Sequence, residues 1–249
     1  MVCGSIRLAL TVSGGFLFHA DSISTIRNNT QMNILVIDIG GTNVKIWTSG
    51  EEEKLKFPSG KTLTPVELIK KVRDITADWQ IDRVSIGYPG EVRNGRPVAE
   101  PWNLGDGWVE FDYAEHFKCP VRMMNDACMQ ALGSYEGGRM LYLGVGTSIG
   151  ATFILDGTIV PLSLGHILLH GKETTEECVN RAAMEANLDR WKKRVAEAAE
   201  TFKNAFHAEY VVIGGGNAKK LEEMPEGCRR GGNHNAYFGG LRMWEDVKS

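Results

Sequence analysis

The stretch ILVIDIGGTNVKIW, Ile34 to Trp47, constrains this chain more than any other. Two apolar runs of strand character flank Asp38, Gly40, Gly41 and Thr42. The segment therefore reads as a buried strand, a glycine turn and a second strand. Gly-rich turns that follow strands offer backbone N–H groups to phosphate. Two familiar versions are excluded. The sequence has no G-x-x-x-x-G-K-[ST], and the turn leads into a strand where a dinucleotide fingerprint requires a helix. What remains is a hairpin tip carrying N–H groups, the Thr42 hydroxyl and Lys45, beside the acid Asp38. An acid so placed suits a hydrated Mg²⁺, which keeps most of its waters and needs few protein ligands.

The same chemistry returns further along. MLYLGVGTSIGATFILDGTIV reads as strand, glycine turn, strand, Asp-Gly turn and strand, with Gly144, Gly146, Thr147 and Gly150 in its first turn. Between the two hairpins, Thr64, Pro65 and Glu67 open a helix with a capping box. Leu68, Val72, Ile75 and Trp79 mark its apolar face. After the second hairpin a long helix buries Trp191, Val195, Ala198, Phe202 and Phe206, and the strand YVVI runs into the turn GGGN. Each half opens with a hairpin bent around glycines and continues as alternating helix and strand. The expected class is an α/β protein duplicated into two lobes around a central cleft. The first lobe is expected over residues 32–125, joined by a final helix at about 234–247, and the second over 126–233.

Composition narrows the partners. The net charge of −3 and the lack of any run of five like charges give no sign of nucleic acid or an anionic membrane. Five cysteines without a C-x-x-C pair indicate neither a disulfide framework nor a structural zinc, and fit a cytoplasmic setting. Residues 1–31 hold a short apolar stretch interrupted by Thr11, Ser13 and glycines. They read as a disordered extension, or as sequence ahead of a true start at Met32, better than as a signal peptide.

The series D-x-G-G-T-x-x-K (Asp38 to Lys45), Asn125-Asp126 at a helix start, GVGTSIG and VVIGGG resembles, in order and spacing, the ROK sugar kinases. The likeness runs from about Asn33 to Asp246 and is nearest to the polyphosphate-glucokinase-like branch. The resemblance implies the actin-like ATPase (ribonuclease H-like) fold and phosphoryl transfer, with Mg²⁺, from ATP or polyphosphate to a hexose, glucose first. It implies Asp126 as catalytic base. A carboxylate tethered between strand and helix suits that role, although Asn125 and Asp126 also make good helix caps. The resemblance assigns Gly90, Asn103, Asn125 and His166 to the sugar. The donor falls to Asp38, Gly40, Gly41, Thr42, Lys45, Gly146, Thr147, Gly150, Gly214, Gly215 and Gly216, and the metal to Asp38.

Trp102 and Trp108 either flank the site or belong to the core. Lys219, Lys220, Arg229 and Arg230 form either a track for a phosphate chain or a solvated face. The chain departs from the family in SLGH, where Ser163 replaces the usual glutamate ahead of His166, and in the absence of a further acid just after the histidine. Those departures leave open a sensor or a degenerate kinase. No zinc-binding cysteine cluster is present in the sequence, lobe closure on substrate is expected, and a homodimer is a family expectation.

Overall fold

The computed structural model describes residues 32–50, 54–232 and 234–245. The extension expected at residues 1–31 lies outside these, as do the last residues of the expected C-terminal helix.

The first sheet is built around β1 (Ile34–Ile39), whose six residues are all buried. An almost unbroken apolar run suits a strand covered on both faces. β2 (Asn43–Thr48) pairs antiparallel with it and β3 (Leu55–Pro58) with β2. β2 alternates, burying Val44, Ile46 and Thr48 on one face and turning Asn43, Lys45 and Trp47 to the other. Helix α1 (Pro65–Ile75) opens with the expected capping box on Thr64 and Glu67. It stops earlier than its apolar pattern predicts, leaving Ile75 exposed and Trp79 outside it. Thr76 ends it, because both its N–H and its hydroxyl bond back to the Val72 carbonyl. β4 (Arg83–Tyr88) runs parallel to β1. A small hairpin of β5 (Val92–Arg93) and β6 (Arg96–Pro97) and the short helix α2 (Tyr113–Phe117) lead to β7 (Val121–Asn125), parallel to β4. The sheet order is β3-β2-β1-β4-β7.

Helix α3 (Asp126–Ser134) then opens the second half. β8 (Arg139–Val145), β9 (Ile149–Leu155) and β10 (Thr158–Leu162) form an antiparallel meander. β11 (Leu168–His170) and β12 (Glu173–Thr174) make a second small hairpin. Helices α4 (Thr175–Val179), α5 (Arg181–Ala186) and α6 (Leu188–Ala205) follow, with Trp191, Val195, Ala198 and Phe202 of α6 in the core. β13 (Tyr210–Gly214) lies parallel to β8, and β14 (Cys228–Arg230) parallel to β13. The order β10-β9-β8-β13-β14 repeats the arrangement of the first sheet: three antiparallel strands, then two added in parallel. The duplication expected from the two glycine hairpins is real.

Two helices join the halves. Met129 of α3 packs with Ile34 and Val36 of the first sheet. Ala127 and Ala131, on its other side, pack with Met140, Tyr142, Ile154 and Val212 of the second. Helix α7 (Asn235–Arg242) returns to the first sheet, where Tyr237 joins the Ile34, Val36 and Met129 cluster. No helix among the described residues is long and apolar enough to cross a membrane.

Candidate active site

The β1–β2 turn is tight, with the Gly40 N–H donating to the Asn43 carbonyl at 3.1 Å. The β1–β2 register sets Asp38 opposite Lys45. Lys45 Nζ donates to Asp38 Oδ2 at 2.9 Å. Burial alone would pull the Lys45 pKa down, but the charge and hydrogen bond of Asp38 outweigh it, so the ammonium is held above its ordinary value. Asp38 is 1% exposed, and its Oδ1 is buried with no hydrogen-bond partner. Such an oxygen is costly unless a ligand completes it.

Strand β7 delivers Asn125 and Asp126 to the same region. Asn125 Oδ1 accepts from the N–H groups of Ala127 and Cys128, and its Nδ2 donates to the Gly90 carbonyl at 3.0 Å. Its amide caps α3 and pins the Gly90 loop, so both ends are engaged within the protein. Asp126 Oδ1 accepts from the Ala127 N–H at 2.8 Å. Burial first, and the Asp38 charge second, raise the Asp126 pKa to about 7. A base poised near neutral pH is the tuning that proton transfer at pH 7 favours.

The two glycine turns face each other. A Cβ on Gly41 would fall 2.6 Å from Asn103 Nδ2 and 3.9 Å from Thr147 Oγ1. The first turn, Asn103 and the second turn therefore converge at one point. Asn103 Oδ1 is a second buried oxygen without a partner. Asp38 and Asn103 thus supply two orphaned acceptors, a donor set that fits a hydrated cation at Asp38 and a hydroxyl at Asn103.

The glycines divide by purpose. Gly146 has room around it, and Gly216 faces open space. Gly144 and Gly214 instead accommodate the buried Tyr142 ring, and a Cβ on Gly150 would lie 2.8 Å from the Ala127 Cβ. Gly215, at φ +82°, presses on the Val145 backbone. Gly90, which the resemblance assigns to the sugar, makes space for the Tyr88 ring, 2.7 Å from its would-be Cβ. At these five positions a side chain would meet a neighbour within the protein.

Two residues escaped the sequence reading. Asn217 ties the third glycine turn to the second, donating from its side chain to the Gly146 carbonyl and from its backbone to Val145. Glu176 lies against Gly165, next to the exposed His166. Its N–H donates to the Gly165 carbonyl, and its Oε2 accepts from the Ile149 N–H at 2.9 Å. Glu176 follows His166 by ten residues, across the β11–β12 hairpin. Ser163 itself is exposed. Trp108 is fully buried against Tyr88, whereas Trp102, beside Asn103, is 76% exposed.

The basic track suggested by the sequence dissolves in part. Arg229 pairs with Glu136 and bonds the Ser134 carbonyl, and Arg230 donates to the carbonyls of Ala218 and Leu221. Both serve the second half's own architecture. Among the described residues no group of three or more His, Cys, Asp or Glu side chains gathers as a metal site. His170 pairs with Glu197 at 3.0 Å.

A profile of the ROK family matches residues 34–189, more than half of the chain. Polyphosphate glucokinase of Mycobacterium tuberculosis is 26% identical over 218 residues, covering 78% of this chain and 81% of that protein. Among solved structures, the inorganic polyphosphate/ATP-glucomannokinase of Arthrobacter sp. strain KM superposes with a TM-score of 0.71 at 22% identity, over 85% of this chain and 98% of that one. A ROK family glucokinase from Streptomyces griseus, in complex with glucose and AMPPNP, gives a TM-score of 0.65 at 15% identity, over 85% and 98%. The fold is the actin-like ATPase fold of these neighbours, and the chain belongs to the ROK family, where it is similar to the polyphosphate-glucokinase-like branch.

Proposed function

We propose that this protein is a sugar kinase that transfers the terminal phosphoryl group of polyphosphate or ATP to a hexose hydroxyl, glucose being the first candidate. One observation supports the reading: Gly41 sits between Asn103 and Thr147, so the amide assigned to the sugar and the two turns assigned to phosphate come together, while Asp126 is near enough to Asp38 and Lys45 to feel their charges. In this reading Asn103 orients the sugar, together with His166. The Gly40–Gly41 turn, Thr42, Lys45 and the Gly146–Thr147 turn hold the donor phosphates. In the transfer step the sugar oxygen bonds to the terminal phosphorus and the bond from that phosphorus to the leaving phosphate breaks. The hydroxyl proton passes to Asp126. Protein groups in such reactions mainly position and stabilise charge. Asp38, through its unpartnered Oδ1, would hold a hydrated Mg²⁺, which neutralises donor charge when bound.

The test crosses ATP and polyphosphate against a panel of hexoses and aminosugars, with Mg²⁺. Sugar phosphate in any combination is the expected result and names donor and acceptor together. A blank panel, with protein that still binds sugar, would overturn the kinase reading in favour of a sensor.

A further inference from the structure

We propose that Tyr142 is a positioning residue for phosphoryl transfer: its hydroxyl ties the third glycine turn to the helix that begins at Asp126, and so sets the donor phosphates against the base. The proposal rests on the kinase reading and adds what holds these two parts of the site in register.

Side chains alternate along β8. Met140 and Tyr142 face α3 and pack with its Ala127 and Ala131, while Leu141, Leu143 and Val145 join the core on the other face. Gly144, two residues on from Tyr142, returns to the α3 side, and the β8–β13 register sets it opposite Gly214. The Tyr142 ring lies across both glycines. A Cβ on Gly144 would fall 3.1 Å from its Cε1, and one on Gly214 2.7 Å from its Cζ. The phenol oxygen therefore arrives at the start of the third turn, where the Gly215 N–H is close enough to interact with it. Tyr142 Oη also donates to Gln130 Oε1 at 2.7 Å. Gln130 stands one helical turn after Asp126, on the same side of α3.

Phenylalanine would fill the same space, so the hydroxyl needs its own reason. It is buried, and burial first, then the charges of Asp126 and Asp38, raise its pKa. The phenol thus stays protonated and remains a donor to Gln130. Asn217 binds the third turn to the second. Tyr142 carries that connection on to the helix of the base.

The experiment compares wild type with Tyr142→Phe, which keeps the ring, and with Tyr142→Phe/Gln130→Leu. The double variant removes both partners of the buried bond, so it should recover the stability lost when Gln130 alone is left unpaired. Calorimetry with Mg²⁺ and either ATP or inorganic tripolyphosphate, and separately with glucose, accompanies urea melts and turnover. Both variants are expected to lose roughly tenfold in affinity for whichever donor binds and about tenfold in kcat, with glucose affinity unchanged. Ile154→Val, in the same cluster, should lose stability and keep donor affinity. Wild-type donor affinity in Tyr142→Phe would overturn the positioning role. So would donor affinity that recovers with stability in the double variant, an equal loss in Ile154→Val, or a wild type that binds neither donor. The kinase reading fails separately, if wild type yields no sugar phosphate from a donor that it binds; the affinity comparison then still decides the tie.

Discussion

Asp126→Asn is expected to lower phosphoryl transfer by about 10²–10⁴-fold and, at the same time, to make the protein more stable than wild type above pH 7. The two effects share one cause. Burial and the Asp38 charge raise the Asp126 pKa to about 7, well above the ordinary carboxylate range near 4. Between those values the folded protein holds a proton that the unfolded chain has released. Stability contributed by that proton is fully present below about pH 4 and is lost as pH rises through 7. Asparagine cannot ionise, yet its Oδ1 can still accept from the Ala127 N–H. The variant should gain on the order of 2–4 kcal/mol relative to wild type above pH 7, and nothing below pH 4. Part of the residue still meets cleft water, which places the gain toward the lower end. Urea melts in metal-free buffer at pH 4 and pH 8 would show it. A variant equally or less stable at pH 8 would mean that Asp126 is not strained when ionised.

Gly239→Ala is expected to destabilise the fold by about 3 kcal/mol or more. A Cβ there would run into the Met129 carbonyl, and one on Gly133 would run into the Asn235 carbonyl. Helices α3 and α7 thus cross backbone to backbone, with no flexible side chain able to give way. The contact spans about a hundred residues of sequence and fixes α7 against the helix that begins at Asp126. Gly133→Ala should behave alike. Gly216→Ala, with open space around its Cβ and ordinary backbone, should stay within about 0.5 kcal/mol of wild type. A wild-type denaturation midpoint for Gly239→Ala would show that the helices can separate without cost.

That helix crossing was invisible in the sequence, and the reason is instructive. Local features were readable because their partners are near neighbours. The Ile34–Trp47 hairpin, the Thr64 capping box and the Asn125 cap each involve residues a few positions apart. The duplicated architecture followed from repeating one such unit. Gly133 and Gly239, by contrast, look like ordinary helix-weakening glycines until their partners are known. Glu176 was missed for a related reason: it reaches Gly165 only because the β11–β12 hairpin folds back. Gly144, Gly150, Gly214 and Gly215 also lack room for a side chain, against Tyr142, Ala127 and Val145, a packing constraint that turn composition did not reveal. Arg229 and Arg230 showed the limit of reading charge from sequence, because Glu136 and the Ser134 carbonyl engage the first and the Ala218 and Leu221 carbonyls the second.

The central claim is that the convergence at Gly41 is a site of phosphoryl transfer to a sugar hydroxyl, with Asp126 taking the proton. Phosphorus NMR of the protein with Mg²⁺, glucose and either donor tests it most directly. A phosphomonoester signal that grows with wild type and stays near background with Asp126→Asn is the expected result. Donor consumption that yields only inorganic phosphate, or a phosphomonoester formed equally fast by the variant, would contradict it.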